Sequence, residues 1–146
     1  ALQDRGRAII IGTTSFGKGT VQTVTTLPNE GEITLTWSNL IAPSGYRLQG
    51  LGIFPMICTS GIDENGISGN TIIKKALADQ TRTNKILKNW RGKGSTEKQK
   101  HKQLRSFCPP EPRKYKIDST VAETMLHNKG LYTYTLNLSA AAVAAR

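Results

Sequence analysis

Residues 7–22 read Arg7-Ala-Ile-Ile-Ile-Gly-Thr-Thr-Ser-Phe-Gly-Lys-Gly-Thr-Val-Gln22, and this stretch decides how the first half of the chain is read. The apolar run that ends at Gly12 has the length and composition of a short buried strand. Thr13–Gly19, with two glycines among small polar residues, is a loop. Thr20–Leu27 is β-branched at most positions and stops at Pro28. Such side chains are stiff at χ1 and suit a pleated strand better than a helix. Asn29-Glu-Gly31 is a turn. Glu32–Ile41 then alternates, with Ile33, Leu35 and Trp37 on one face, as a half-buried strand does. Residues 20–41 are therefore expected to form a β-hairpin.

Downstream, Ala42-Pro-Ser-Gly45 is a second turn, Tyr46–Ile53 an extended segment and Thr59–Gly69 a polar loop. Asn70 is expected to cap a helix running to about Trp90. Its apolar stripe is Ile72, Ile73, Ala76, Leu77, Ile86, Leu87 and Trp90. Arg91–Lys102 reads as a charged linker, and Pro109, Pro110 and Pro112 exclude regular structure around them. Asp118 or Thr120 can cap another helix, Thr120-x-x-Glu123 being a capping-box pattern, and Gly130 would end it. Leu131–Leu138 alternates like a strand, whereas the alanines beyond it suit a helix. The fold class is α+β (mixed α/β), β-rich at the start and helical at the end.

The chain has 146 residues, with 20 Lys and Arg against 10 Asp and Glu, a formal charge of +10. That length fits one domain, and no apolar run approaches the roughly 18 residues of a membrane span. The N-terminus lacks the basic-then-apolar pattern of a signal peptide and an initiator Met, so the chain reads as cut from something longer. Lys74–Lys116 holds 14 of the basic residues and 3 of the acidic ones. Such a segment can meet nucleic acid or an anionic lipid surface. With only Trp90, Phe107 and Tyr115 as aromatics, and no zinc-finger or RNP pattern, a solvated basic surface is the favoured reading and nucleic acid is disfavoured.

Two mechanisms explain a lysine in a glycine-rich loop after a buried strand. A phosphate-binding P-loop, G-x-x-x-x-G-K-[ST], is matched by Gly12, Gly17 and Lys18. It fails at Gly19, and the following segment has strand rather than helix character, so no helix N-terminus faces the phosphate. The second mechanism is a Ser–Lys dyad. A serine hydroxyl needs a base, and lysine serves when burial or a neighbouring positive field favours its neutral form. Gly17 and Gly19 would let a substrate backbone approach, and Gln22, neutral and able to donate and accept, could orient the amine.

Arg7–Gln22 resembles the carboxyl-terminal processing (tail-specific) serine protease family. The likeness continues through Ile33-Thr-Leu-Thr, Ala42-Pro-Ser-Gly45 and Gln49-Gly-Leu-Gly-Ile-Phe-Pro55, and covers roughly residues 1–58. It implies that Lys18 is the general base of a Ser–Lys dyad and that Gln22 positions it. It also implies polypeptide substrates, no metal or cofactor, and a bacterial periplasmic or cell-envelope setting, or a chloroplast lumen. The family's nucleophile, its oxyanion-hole glycine and its PDZ domain would precede Ala1. The chain alone is then expected to be inactive. Ser15, only three residues before Lys18, takes the family's ordinary Thr/Ser position there and is read as a loop residue. Phe54-Pro-Met departs from the family's usual Pro-Asp.

The expected organisation is thus residues 1–58 as the C-terminal part of a protease core and 59–146 as a basic helical extension. Cys58 and Cys108 are either a disulfide in an oxidising compartment or two buried free thiols, and spacing does not decide between them. His101 and His127 have no partner at metal-ligand spacing.

Overall fold

The computed structural model describes residues 1–62, 70–75, 77–78, 98–112 and 114–144. Its strands are β1 (Ile11–Gly12), β2 (Thr20–Thr26), β3 (Glu32–Asn39) and β4 (Ile57–Cys58). β1 pairs parallel with β4, and β2 pairs antiparallel with β3. Residues 70–75 and 77–78 are helical, and α1 (Lys98–Phe107), α2 (Tyr115–His127) and α3 (Lys129–Ala144) follow. Strands followed by helices give the expected α+β class. No helix of the described residues is long and apolar enough to cross a membrane.

The hairpin forms where the β-branched run predicts it. Its turn closes with the Leu27 N–H donating to Gly31 O at 2.7 Å, and Glu30 takes a φ of 62°. Thr23 faces Leu35 and Thr25 faces Ile33 across the ladder, with a bulge between Val21 and Gln22. The expectation of a half-buried face is corrected. Leu35 is 55% and Trp37 68% exposed, and Ile33 is exposed beside them. Alternation sorts side chains onto one face but supplies nothing to cover it.

Two apolar clusters hold the rest together, and each draws on both sides of residue 58. In the first, Ile57 is packed with Ile62, Ile72 and Ile73 and with Ile117, Val121 and Met125 of α2; Ile9, Ile11, Leu77 and Leu131 flank it. In the second, Tyr46, Leu51 and Phe54 meet Leu104 and Cys108, with Cys58 alongside. Ile72, Ile73 and Leu77 thus fulfil the first part of the predicted helical stripe. Its remainder through Trp90, the 63–69 part of the polar loop and the 91–97 part of the linker lie outside the described residues.

Four local readings change. The end of the predicted linker, from Lys98, is helical and runs on to Phe107 as α1, because Leu104 anchors one side of it in the second cluster. Tyr46–Ile53 is turned rather than extended: the N–H groups of Leu51 and Gly52 both donate to Leu48 O, with Gly50 and Gly52 at φ of 77° and 74°. α2 starts at Tyr115, upstream of both predicted caps. Asp118 instead accepts from the buried Thr59 hydroxyl at 2.7 Å, and Thr120 Oγ1 donates back to Lys116 O. Leu131–Leu138 is helical, since Asn128 separates the two helices and its Oδ1 accepts the Leu131 N–H at 3.0 Å, capping α3. Gly130 therefore lies inside α3 instead of ending α2.

Three polar or covalent ties brace this frame. A disulfide joins Cys58 to Cys108 across 50 residues of chain, a loop length whose closure in the unfolded state is worth about 4 kcal/mol in the chain-entropy account. Buried Asp4 accepts from both the N–H and the hydroxyl of buried Ser44, at 3.1 and 2.8 Å, and so pins the Pro-Ser-Gly turn. Glu111 accepts from the Ser60 hydroxyl and the Gly61 N–H and pairs with Lys114 at 3.2 Å.

Ile57 is fully buried at the centre of the first cluster, so Ile57→Ala is expected to cost about 3 kcal/mol, read from the denaturant midpoint. Glu111 gives a pH prediction. The Ser60 hydroxyl first, then the Gly61 N–H and Lys114, hold its carboxyl below the ordinary value of 4.5. A carboxylate with a depressed folded-state pKa stabilises above its unfolded pKa and loses that contribution as pH falls through the folded one. In acid titrations below 4.5, the stability of the native chain should therefore fall more steeply than that of Glu111→Gln.

Candidate functional site

The loop from Thr13 to Gly19 leaves β1 and enters β2, and it is laced along its length to residues 48–53. The Ser15 N–H donates to Ile53 O at 3.1 Å, and the Ile53 N–H returns to Ser15 Oγ at 2.8 Å. The Gly50 N–H donates to Gly17 O at 2.9 Å. The Gly19 N–H donates to Gln49 Oε1, and Gly19 O accepts from the Leu40 N–H, both at 2.7 Å. Ser15 is thus engaged in holding the loop, in keeping with its reading as a loop residue.

The glycines answer to this lacing. A Cβ on Gly17 would lie 2.7 Å from Gly52 N, and one on Gly19 would overlap the backbone of Leu48 and Gln49. A Cβ on Gly52 would run into the Ser15 carbonyl. The sequence suggested that Gly17 and Gly19 admit a substrate backbone. In the folded chain, the backbone that approaches them is the chain's own.

Lys18 lies between these two pinned glycines, and its side chain is exposed. It makes no hydrogen bond or ion pair with any described residue. Gln22 lies on β2, also exposed, and its amide nitrogen donates to Thr36 Oγ1 at 2.8 Å across the hairpin. Only its carbonyl oxygen is left to accept from an amine. No hydrogen bond joins Gln22 to Lys18 among the described residues. Cys58 and Cys108 do meet, behind the loop, where Cys108 is fully buried.

Three residues that matter to this geometry were given no role by the sequence reading. Gln49 supplies the side-chain acceptor for Gly19, and Gly52 supplies the backbone contact with Gly17. Arg105 reaches in from α1, its Nη1 donating to Phe16 O at 2.9 Å and Gly50 O at 3.2 Å. The available signal was the matched spacing of Gly17 with Gly19 and of Gly50 with Gly52. Treating the second pair as part of an extended segment concealed it.

Beside the loop lies an apolar groove of about 480 Å³, whose walls include Leu2, Ile10, Ile41, Leu48, Ile53 and Phe54. Among the described residues Phe16 is 83% exposed and Trp37 is uncovered as well.

Comparison with known proteins finds likeness in the first part of the chain. Residues 1–58 match the family model described as Peptidase family S41. The carboxy-terminal-processing protease of Bartonella bacilliformis is 54% identical over 57 residues, 39% of this chain and 13% of that protein. The chloroplastic carboxyl-terminal-processing peptidase 3 of Arabidopsis thaliana is 38% identical over 63 residues, 42% of this chain and 12% of that protein. The carboxyl-terminal-processing protease of a Picosynechococcus strain is 38% identical over 55 residues, 38% of this chain and 13% of that protein. The chain thus spans only about an eighth of the curated relatives it matches, and no solved structure gives a significant match. The matched segment contains the whole of the laced lysine loop and the 48–53 strap that holds it, and over that segment, residues 1–58, the chain is similar to peptidase family S41.

Proposed function

We propose that this chain carries the general-base part of a serine endopeptidase that works through a Ser–Lys dyad and cuts polypeptides in their C-terminal regions. The observation that carries the reading is the lysine loop itself: a family S41 segment in which Lys18 stands free between two glycines fixed by backbone contacts. In the proposed reaction the Lys18 amine takes the proton from a serine hydroxyl as that oxygen attacks a peptide carbonyl. The same proton passes to the departing amine, leaving an acyl-enzyme. Water then attacks the ester carbonyl, with Lys18 acting again as base. Gln22 is proposed to orient the amine through its free carbonyl oxygen. Gly17 and Gly19 are proposed to contribute by fixing the direction in which Lys18 leaves the loop.

The nucleophilic serine is proposed to lie outside these 146 residues, together with a PDZ domain that would bind the substrate tail. The small share of the relatives' length that the chain spans supports this. So does the exposure of Lys18: a lysine acts as a base at neutral pH when desolvation or a nearby cation favours its neutral form, and here another surface has to cover it. The proposed setting is the bacterial periplasm or cell envelope. The Cys58–Cys108 bond supports an oxidising compartment. Residues 59–146 are proposed as a basic helical extension braced against the protease segment. No cofactor enters the proposed reaction.

The test is cleavage of an unfolded polypeptide by the enzyme that contains this chain joined to its serine-bearing segment. Lys18→Met should lower kcat/KM by about 10³-fold or more. The 146-residue chain alone should give no cleavage. Undiminished activity in Lys18→Met, or Lys18-dependent cleavage by the chain alone, would refute the proposal. Gly19→Ala should also depress activity, because its Cβ displaces the loop from Leu48 and Gln49, while circular dichroism still reports folded helices.

A further inference from the structure

We infer that Arg105 is a positioning residue for the Lys18 loop, acting from outside the family-matched segment. Its Nη1 donates to carbonyls on two separate stretches of chain, Phe16 O at 2.9 Å and Gly50 O at 3.2 Å. These flank the bond from the Gly50 N–H to Gly17 O, so one guanidinium closes the loop and its strap from the side. The space it occupies exists because residue 17 is glycine, since a Cβ there would lie 3.1 Å from Nη1. Arg105 is itself held in place. Leu104, its neighbour, is buried against Tyr46, Leu51 and Phe54, and just past the helix end Cys108 is bonded to Cys58. A cationic donor to carbonyl oxygens makes a stronger bond than a neutral one, and the planar guanidinium spans two acceptors with little reorganisation. Lys18 follows directly after Phe16 and Gly17, so its direction of exit depends on the two peptides that Arg105 fixes.

The catalytic meaning of this role rests on the peptidase reading; the clamp itself does not. The first readout is therefore amide hydrogen exchange in the 146-residue chain. Arg105→Met keeps the aliphatic stem and should speed exchange at Gly19 and Gly50 by about tenfold or more. The amides of Met56 and Thr59 at the β1–β4 pairing should stay as they were. Arg105→Lys should recover much of the protection, and Lys102→Met, on the same helix, should change nothing. In the serine-bearing enzyme, Arg105→Met should lower kcat about tenfold with KM nearly constant, and Arg105→Lys should restore most of it. Equal loop exchange in Arg105→Met and the native chain, or a lysine variant no better than methionine, overturns the inference. Faster loop exchange with unchanged kcat also overturns it, and leaves the peptidase reading to the Lys18→Met result. Should Arg105→Met not fold, the native chain decides: slowly exchanging Arg105 Nη protons and hindered guanidinium rotation are expected, and free rotation contradicts the clamp.

Discussion

The contact on which the rest depends is that of two backbones, Gly17 against Gly52 and Gly19 against Leu48 and Gln49. No side chain fits between them. The lysine loop can therefore lie on the 48–53 strap only if residues 17, 19 and 52 are glycine, and the hydrogen bonds from Ser15 to Gly19 follow from that closeness. Glycine normally adds freedom to a loop. Here its small size lets the backbone be held from both sides, so a flexible residue type yields a fixed placement for the lysine between the two pinned positions.

The strap needs its own support, and this comes from far along the chain. Leu51 and Phe54 pack on Leu104, and Cys58, at the end of β4, is bonded to Cys108. The matched segment is consequently not self-contained. Its second cluster is completed by α1, and its short parallel pairing of β1 with β4 is covered by α2 through Ile117, Val121 and Met125. A two-residue parallel pair has few hydrogen bonds of its own. Burial of Ile57 and the Thr59–Asp118 hydrogen bond stabilise it from the helical side.

What was legible in the sequence followed local chemistry. The β-branched run from Thr20, the Pro28-Asn-Glu-Gly31 turn and the alternation after it specify the hairpin almost residue by residue. The apolar pair Ile72 and Ile73 marked a core helix. What was not legible depends on distant partners. Alternation placed Ile33, Leu35 and Trp37 on one face and could not report that this face is uncovered. α1 looked like linker because eight of its ten residues from Lys98 to Phe107 are polar or charged, while the buried residue that anchors it is Leu104. α3 was obscured because Leu131, Thr133 and Thr135 alternate over a short window, whereas the decisive local signal was the capping side chain of Asn128. Lys18 could be singled out from its loop, yet the residues that hold that loop, Gln49 and Arg105, come from segments whose shape the sequence did not reveal.

The geometry also limits how the proposed base can be tuned. Desolvation of a lysine requires apolar or cationic surface near its amine. The free sides of Gly17 and Gly19 are already taken by the 48–52 backbone, and Lys18 between them is exposed. Any surface that covers Lys18 must therefore approach from the side that the 48–52 backbone leaves open. In the proposed enzyme the two requirements divide cleanly. The chain fixes where the amine starts and in which direction it leaves, and the surface that arrives with the nucleophile sets its charge state. Direction without burial leaves the amine in water, and burial without direction leaves a base that does not meet its serine.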